Sequence, residues 1–514
     1  MTTPTAPTAP TAPATPAALN ADAEQTPLLV RQIGLVVGVG LFLMTFFVAP
    51  PDGMNAQAWR VCGLALWMAV WWMTEAVSLP VTALLPLVVL PLTGLMPLKK
   101  ASANFAADLI FLFLGGFIIS IAIQKWRVHE RIGLGMMRYM AWNVPSLIAG
   151  FMAVIGFMGM WMSNTATAMV MMPMALSVAA LIAKGGSTAP SVTKAFVLTV
   201  AYAPCLGGLA TFIGTPTNAV LEGYLSKTYG LNLSLAQWMS FGVPIAGFLL
   251  VCCWLLLYFT LLRGMPKVAG LAPMMRGEYA KLGAFTRGEI ITTVIFLGCV
   301  QMWIFSDFWS GLAGVNIDDA VIAIAGALLL FLTPLDRRWE RTVLTWTDTA
   351  KLPWGILIFF GGSLSLSAAL TDTGVTRWLS LELQVMHDVP LWIVAIVVVA
   401  LVVAVSEMMS NSATVTTFLP ILAGLAGGLG INPLLIMIPA TLAASCAFMM
   451  PGASPNNAIA FSTGVLKVSD MIKTGLWLNL ICATVLLFAA FYFVPGIMGF
   501  DPLVVPAWAT PKTP

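Results

Sequence analysis

Residues 161–168 read WMSNTATA, and residues 408–415 read MMSNSATV. In each, a polar Ser-Asn-Thr/Ser triplet interrupts a long apolar stretch. A Gly-Gly pair precedes each copy, in LFLGGFIIS (112–120) and IFFGGSLSL (358–366). A polar break follows each: Gly214-Thr215-Pro216-Thr217-Asn218 after the first, Gly452-Ala453-Ser454-Pro455-Asn456-Asn457 after the second. The copies of the three landmarks lie 246, 247 and 238 residues apart. An offset so nearly constant marks an internal duplication of half the chain. Polar breaks inside apolar repeats point to the binding site of a transporter.

The composition agrees. Of 514 residues 59% are hydrophobic and only 9% charged, against about 25% charged in a soluble domain. Apolar runs long enough to span a bilayer recur along the chain, so the expected class is an all-α polytopic membrane protein in a lipid bilayer. A net charge of +3 gives no reason to expect nucleic acid. The seven cysteines are scattered through apolar segments without metal-ligand spacing and read as small core residues. His129 and His387 fall in polar loops. Paired catalytic aspartates, a His cluster and a nucleophile–base pair are all missing, which argues against an intramembrane enzyme. The opening MTTPTAPTAPTAPATPAALNADAEQ lacks the basic residue and apolar core of a signal peptide. Its proline density predicts a disordered tail over residues 1–30.

Hydropathy places spans near 33–50, 57–76, 79–97, 105–124, 194–225, 236–262, 289–309, 319–334, 353–371, 433–465 and 474–497. Two further apolar segments, about 145–183 and 390–430, hold the triplets near their middles. They read as re-entrant hairpins, because backbone broken at Ser163-Asn164 or Ser410-Asn411 survives only inside protein or beside a water-filled cavity. With eleven spans, two hairpins and a cytoplasmic N-terminus, eighteen Lys and Arg lie inside and six outside, as the positive-inside rule expects. The C-terminus is then outside, and the first hairpin opens from the cytoplasm, the second from outside. The repeats, 57–262 and 289–497, start five spans apart and therefore run in opposite orientation, an inverted-topology arrangement.

At membrane depth the triplets offer Ser163, Asn164, Thr165, Ser410, Asn411 and Ser412, all neutral donors and acceptors. Helix N-termini at the hairpin tips suit an anion. Unwound carbonyls there, and at the breaks 214–216 and 452–455, suit Na⁺. No Lys or Arg is close in sequence to either triplet or break. An anion bound there takes its counter-charge from a bound cation, which couples the two, and neutral oxygen ligands favour Na⁺ over soft metals. The same residue types also serve as packing in transmembrane helices, but two copies at matching positions favour a binding site. Glu407, three residues before Ser410, is the strongest intramembrane carboxylate. It could carry a proton or orient the hairpin; its first-repeat counterpart is Met160, which favours orientation. Glu75 and Asp108 fall at span ends and read as interfacial.

With these motifs in view, the chain resembles the divalent anion/sodium symporter family, the sodium-coupled dicarboxylate and citrate carriers. The likeness covers roughly residues 57–497 and is densest at IFLFLGGF (110–117), MWMSNTATA (160–168), GTPTNA (214–219), SEMMSNSAT (406–414) and SCAFMMPGASPNNAIAF (445–461). The resemblance implies a homodimeric elevator in a bacterial inner membrane. Its scaffold would comprise spans 1–4 and 7–9, and its transport unit both hairpins with spans 5, 6, 10 and 11. It implies one sodium site from Ser163, Asn164 and the Gly214 carbonyl, and another from Ser406, Ser410, Asn411 and the Ala453 carbonyl. Substrate carboxylates would meet Asn164, Thr165, Asn411 and Ser412, in a pocket shaped by Thr215, Pro216, Ser454 and Pro455. Three departures stand out. Gly159 replaces a frequent serine four residues before the first triplet, which weakens the first sodium site. Ser412 ends the second triplet in place of threonine. Thr217 and Asn456 stand where a second proline is common. The implied activity is Na⁺-coupled import of C4-dicarboxylates. Sodium-independent exchange, proton coupling through Glu407, and tricarboxylate or sulfate transport are the alternatives.

Overall fold

The computed structural model describes residues 28–184, 190–263, 270–336 and 338–509. Most of the expected tail, residues 1–27, lies outside them. Its last three residues are not tail but open the first helix, because Leu28-Leu29-Val30 continue the apolar run that follows. Among the described residues the chain is helical, apart from one antiparallel bridge between Pro334 and Thr342.

The first half contains α1 (Leu28–Met44), α2 (Ala56–Thr74), α3 (Leu79–Thr82), α4 (Leu85–Leu92), α5 (Leu98–Ala103) and α6 (Asp108–Lys125). It continues with α7 (Val128–Met140), α8 (Val144–Gly159), α9 (Asn164–Lys184), α10 (Pro190–Gly208), α11 (Pro216–Tyr229) and α12 (Leu235–Leu257). After α13 (Leu271–Ala280) the second half runs α14 (Arg287–Ile304), α15 (Ser306–Ala313), α16 (Asp319–Leu332), α17 (Trp354–Asp372), α18 (Val375–Glu382) and α19 (Leu391–Ser406). Then come α20 (Asn411–Leu429), α21 (Leu434–Ala444), α22 (Pro455–Ser462), α23 (Val468–Phe488) and α24 (Val494–Met498). Among the described residues, seven helical stretches are long and apolar enough to cross a membrane, with six shorter apolar helices beside them. This is a multi-pass membrane protein.

Each triplet straddles the junction of two helices, its serine in the break and its last two residues opening α9 or α20. The first apolar segment breaks between Gly159 and Asn164, the second between Ser406 and Asn411. Two expected spans are themselves broken: 194–225 into α10 and α11, and 433–465 into α21 and α22. Pro216 and Pro455 occupy the first turns of α11 and α22, where the missing N–H of proline costs nothing. This aligns Gly214 with Ala453 rather than with Gly452, a correction of one residue to the third landmark. The expected span 79–97 is interrupted at Ala83-Leu84 and ends at Leu92, two residues before Gly94, which turns with φ 70°. Glu75 caps the C-terminus of α2 and Asp108 opens α6, so both lie at helix ends as expected. His129 is not in a loop. It lies buried in α7, its Nδ1 3.3 Å from the Ile123 carbonyl.

Packing is reciprocal between the halves. The α3–α4 segment packs on α17, while α6, the counterpart of α17, packs on α16, the counterpart of α3–α4. Helix α22 lies on α9 and α10 of the first half, and α11 lies on α20 and α21 of the second. Each unwound break is therefore held between its own hairpin and a helix of the other half. Close backbone contact seats the first hairpin: a Cβ on Gly207 would overlap the Gly156 carbonyl, and one on Gly159 would lie 2.5 Å from the Pro204 oxygen. Small residues allow this approach. Away from the breaks, Arg131 of α7 pairs with Glu289 of α14 at 2.8 Å and donates to the carbonyls of Leu282, Gly283 and Ala284. That buried pair ties the connector before the first hairpin to the start of the second half.

Candidate functional site

At the first tip, Ser163, Asn164 and Thr165 are half-buried. Ser163 Oγ accepts from the Ala166 N–H at 3.3 Å, and its carbonyl accepts from Thr167, so Ser163 caps α9. The Asn164 amide nitrogen points to Cys205 Sγ at 3.7 Å. Its Oδ1 is buried and has no hydrogen-bond partner. A Cβ placed on Gly208 would lie 3.0 Å from that oxygen and 3.2 Å from the Gly214 carbonyl oxygen. The two oxygens therefore face one point beside Gly208. The Gly159 carbonyl also crowds Gly214. Asn164 and Gly214 are thus brought together, and Gly159 joins them through its backbone, whereas the Ser163 hydroxyl is turned to the Ala166 N–H. A buried carbonyl without a partner costs about 1–3 kcal/mol, and a hard cation would satisfy it.

Thr211 fixes this geometry. Its hydroxyl donates to the Met160 carbonyl and accepts from the Gly214 N–H at 3.0 Å. Asn218 donates to the carbonyls of Gly208, Leu209 and Thr211 at 3.2, 3.3 and 2.8 Å. Asn457 serves the same purpose in the second half, donating to Ala447 at 3.1 Å and Met450 at 2.9 Å. Each break is thus closed by an asparagine two residues after the helix-opening proline, which satisfies backbone carbonyls that the unwound chain leaves without helical partners.

At the second tip, Ser410, Asn411 and Ser412 are also half-buried. Ser406 Oγ lies 2.9 Å from Asn411 Oδ1 and in close contact with the Ala444 carbonyl. The hydroxyl has a single proton for the two acceptors, so three oxygens cluster around Ser406. Ala444 was not among the sequence candidates. Ala453 lies in a short 3₁₀ turn, Pro451–Ala453, and Ser410 opens α20 without a side-chain cap bond. Ser412 presents its carbonyl to the Thr416 hydroxyl at 2.9 Å. Ser454 caps α22 by accepting from Asn457 N–H at 3.3 Å. Asn456 reaches across to the first half, 3.0 Å from Cys205 Sγ.

Glu407 is buried, and its carboxylate is fully engaged. It accepts from the N–H groups of Phe448, Met449 and Met450 at 2.8, 2.9 and 3.0 Å, and from Asn479 Nδ2 at 2.7 Å. The unwound start of the second break is therefore folded around one carboxylate, as the orienting role expects. In the first half, Met160 offers only its carbonyl to Thr211.

Sequence reading passed over Cys205, Thr211, Ser445 and Asn479. Asn479 had a signal, since a lone amide in an apolar span calls for a partner. Cys205 had none: a thiol in an apolar run looks like core until its neighbours are known. Among the described residues, no Lys or Arg hydrogen bond or ion pair goes to either triplet or break.

Residues 29–498 match the family model for the sodium:sulfate symporter transmembrane region. A protein named sodium-dependent dicarboxylate transporter SdcS, from Staphylococcus saprophyticus, is 35% identical over 481 residues, covering 91% of this chain and 92% of its own. The SdcS of Staphylococcus aureus matches with the same identity and coverage. Among solved structures, MtrF of Neisseria gonorrhoeae, described as illuminating a class of antimetabolite efflux pumps, aligns with a TM-score of 0.56 at 12% identity. That alignment covers 95% of this chain and 100% of MtrF, and its likeness is one of fold alone.

Proposed function

The chain belongs to the sodium:sulfate symporter family, and from that premise we propose that it imports C4-dicarboxylates such as succinate, malate or fumarate together with Na⁺. The observation that carries the reading is the partnerless Asn164 Oδ1, buried beside the Gly214 carbonyl. Na⁺ among these oxygens would satisfy Asn164 and place positive charge at the N-terminus of α9. The oxygens around Ser406 offer a second position near the N-terminus of α20. A dicarboxylate would then lie between the tips, against Asn164, Thr165, Asn411 and Ser412, with its charge met by Na⁺ and helix ends rather than by Lys or Arg. The 35% identity to proteins named sodium-dependent dicarboxylate transporters supports both cargo and ion.

The proposal extends to a homodimer in the bacterial plasma membrane that works as an elevator. The hairpins with α10, α11, α12, α21, α22 and α23 would move as one unit against the other helices. Reciprocal packing of the two halves supports this, since inverted repeats give such a unit two equivalent ways to meet its frame. The reading is tested by uptake into proteoliposomes of succinate, citrate and sulfate, each in Na⁺ and in choline buffer. Succinate uptake that needs Na⁺ and exceeds that of citrate and sulfate is expected. Preference for either other anion would reassign the cargo.

A further inference from the structure

Three buried hydroxyls join the two breaks. Thr217 Oγ1 lies 2.7 Å from Ser445 Oγ, Thr215 Oγ1 lies 3.1 Å from Thr217 Oγ1, and Thr215 lies 3.3 Å from Ser445. All three residues are buried, at 2% exposure or less. Three hydroxyls with three protons and three contacts can form a closed ring in which each donates once and accepts once. Such a ring has two proton directions, and turning one member reverses the others, so its bonds strengthen one another.

The ring's position gives it a consequence. Thr215 follows Gly214, whose carbonyl faces Asn164 Oδ1 beside Gly208. Ser445 follows Ala444, whose carbonyl meets the Ser406 hydroxyl, which in turn lies against Asn411. The ring is therefore one peptide unit from each candidate cation position. We propose that Thr215, Thr217 and Ser445 couple the two positions, so that Na⁺ bound at one raises affinity at the other; this rests on the Na⁺-coupled reading above. The physical route is ordering. Na⁺ at Ser406 and Asn411 directs the Ser406 proton to the Ala444 carbonyl and fixes Ser445. Ser445 fixes the ring, and the ring fixes the Gly214 carbonyl. The second ion then binds backbone already ordered by the first, which gives positive cooperativity without a change of shape. Thr217 and Ser445 are positioning residues here and touch neither ion nor substrate.

The test is the Na⁺ dependence of succinate uptake by the full-length protein in proteoliposomes, for wild type, Thr217→Val, Ser445→Ala, the double variant and Thr217→Ser. A Na⁺-dependent thermal shift of each purified protein provides a second, transport-independent isotherm. Wild type is expected to show a Hill coefficient above one, and Thr217→Val and Ser445→Ala to fall to about one, with Na⁺ half-saturation raised about 3- to 30-fold. The double variant should do no worse than either single one, and Thr217→Ser, which keeps the hydroxyl, should restore cooperativity. Hill coefficients unchanged in the single variants, or a double-variant effect equal to the product of the singles, would overturn the coupling while leaving Na⁺-driven transport intact. Uptake by wild type that ignores Na⁺ would overturn both.

Discussion

Gly159 lies so tightly on Pro204 that an added Cβ would sit 2.5 Å from the Pro204 carbonyl oxygen and 3.0 Å from its Cα. At the matching place in the second half, Ser406 has room to turn its hydroxyl to the Ala444 carbonyl. Glycine at 159 therefore reflects how closely the first hairpin is seated, as well as a missing ligand. Gly159→Ser should lower the unfolding midpoint, with an overpacking cost of about 1–3 kcal/mol. It should not tighten Na⁺ binding, although it supplies a hydroxyl. Thermal unfolding with and without Na⁺ measures both effects, and a serine that improved Na⁺ affinity would show that the seat is loose.

The orphaned oxygen of Asn164 makes a two-sided prediction. Asn164→Leu replaces an amide whose buried oxygen has no partner with an apolar group of similar size, removing a cost of about 1–3 kcal/mol against one weak contact to Cys205, so the Na⁺-free protein should lose no stability. The stabilisation that Na⁺ confers on wild type should vanish. Melting curves across a Na⁺ titration separate the two effects. A variant that still responded to Na⁺ like wild type would remove Asn164 from the cation position.

Glu407 holds three backbone N–H groups and the Asn479 amide. Glu407→Ala strands those donors at about 1–3 kcal/mol each and should abolish both stable expression and uptake. Glu407→Gln keeps one acceptor oxygen and should retain reduced uptake with the pH profile of wild type. Uptake measured between pH 5.5 and 8.5 decides the matter. If glutamine flattened the pH dependence, Glu407 would be a proton carrier rather than a brace.

The two tips meet different surroundings. Trp161 of the first stacks on Trp303 of α14, with ring centroids 5.7 Å apart and planes at 11°, and meets Phe296 edge-on. Met408, the matching residue of the second, is 84% exposed. If the transport unit slides, the Trp161 stack holds this position and breaks in the other. Trp303→Ala should weaken the docked state by about 0.5–1.5 kcal/mol. Spin labels at the exposed Met169 and Ile290, with Cys62 and Cys252 replaced, would report the change as a shift between two distance populations. An unchanged distribution would deny the stack any part in holding the position.

Much of this fold is legible in the sequence because bilayer and backbone leave few choices. Both long apolar segments break at their polar triplets, and the two expected Gly/Pro breaks do interrupt their spans, α11 and α22 opening at Pro216 and Pro455. Glu407, expected to orient the hairpin for want of a counterpart, does hold three backbone N–H groups. The unread part lies in contacts between distant residues. Nothing local marks Cys205 as the neighbour of Asn164, which it meets only when α10 packs on the first hairpin, or marks Asn456 as the neighbour of Cys205 and Ser445 as the partner of Thr217, which meet only when one half's break lands on the other half. The one-residue error at Gly452 arose because glycine was matched to glycine, whereas the structure repeats the proline and the asparagine two residues after it.

The central claim is that Na⁺ and a dicarboxylate enter together through neutral oxygens. Simultaneous measurement of labelled Na⁺ and labelled succinate flux in the same proteoliposomes tests it most directly. The account predicts that each influx requires the other species, and that Asn164→Leu abolishes both. Succinate entering at an undiminished rate in choline buffer, or Na⁺ entering at the same rate without succinate, would contradict it.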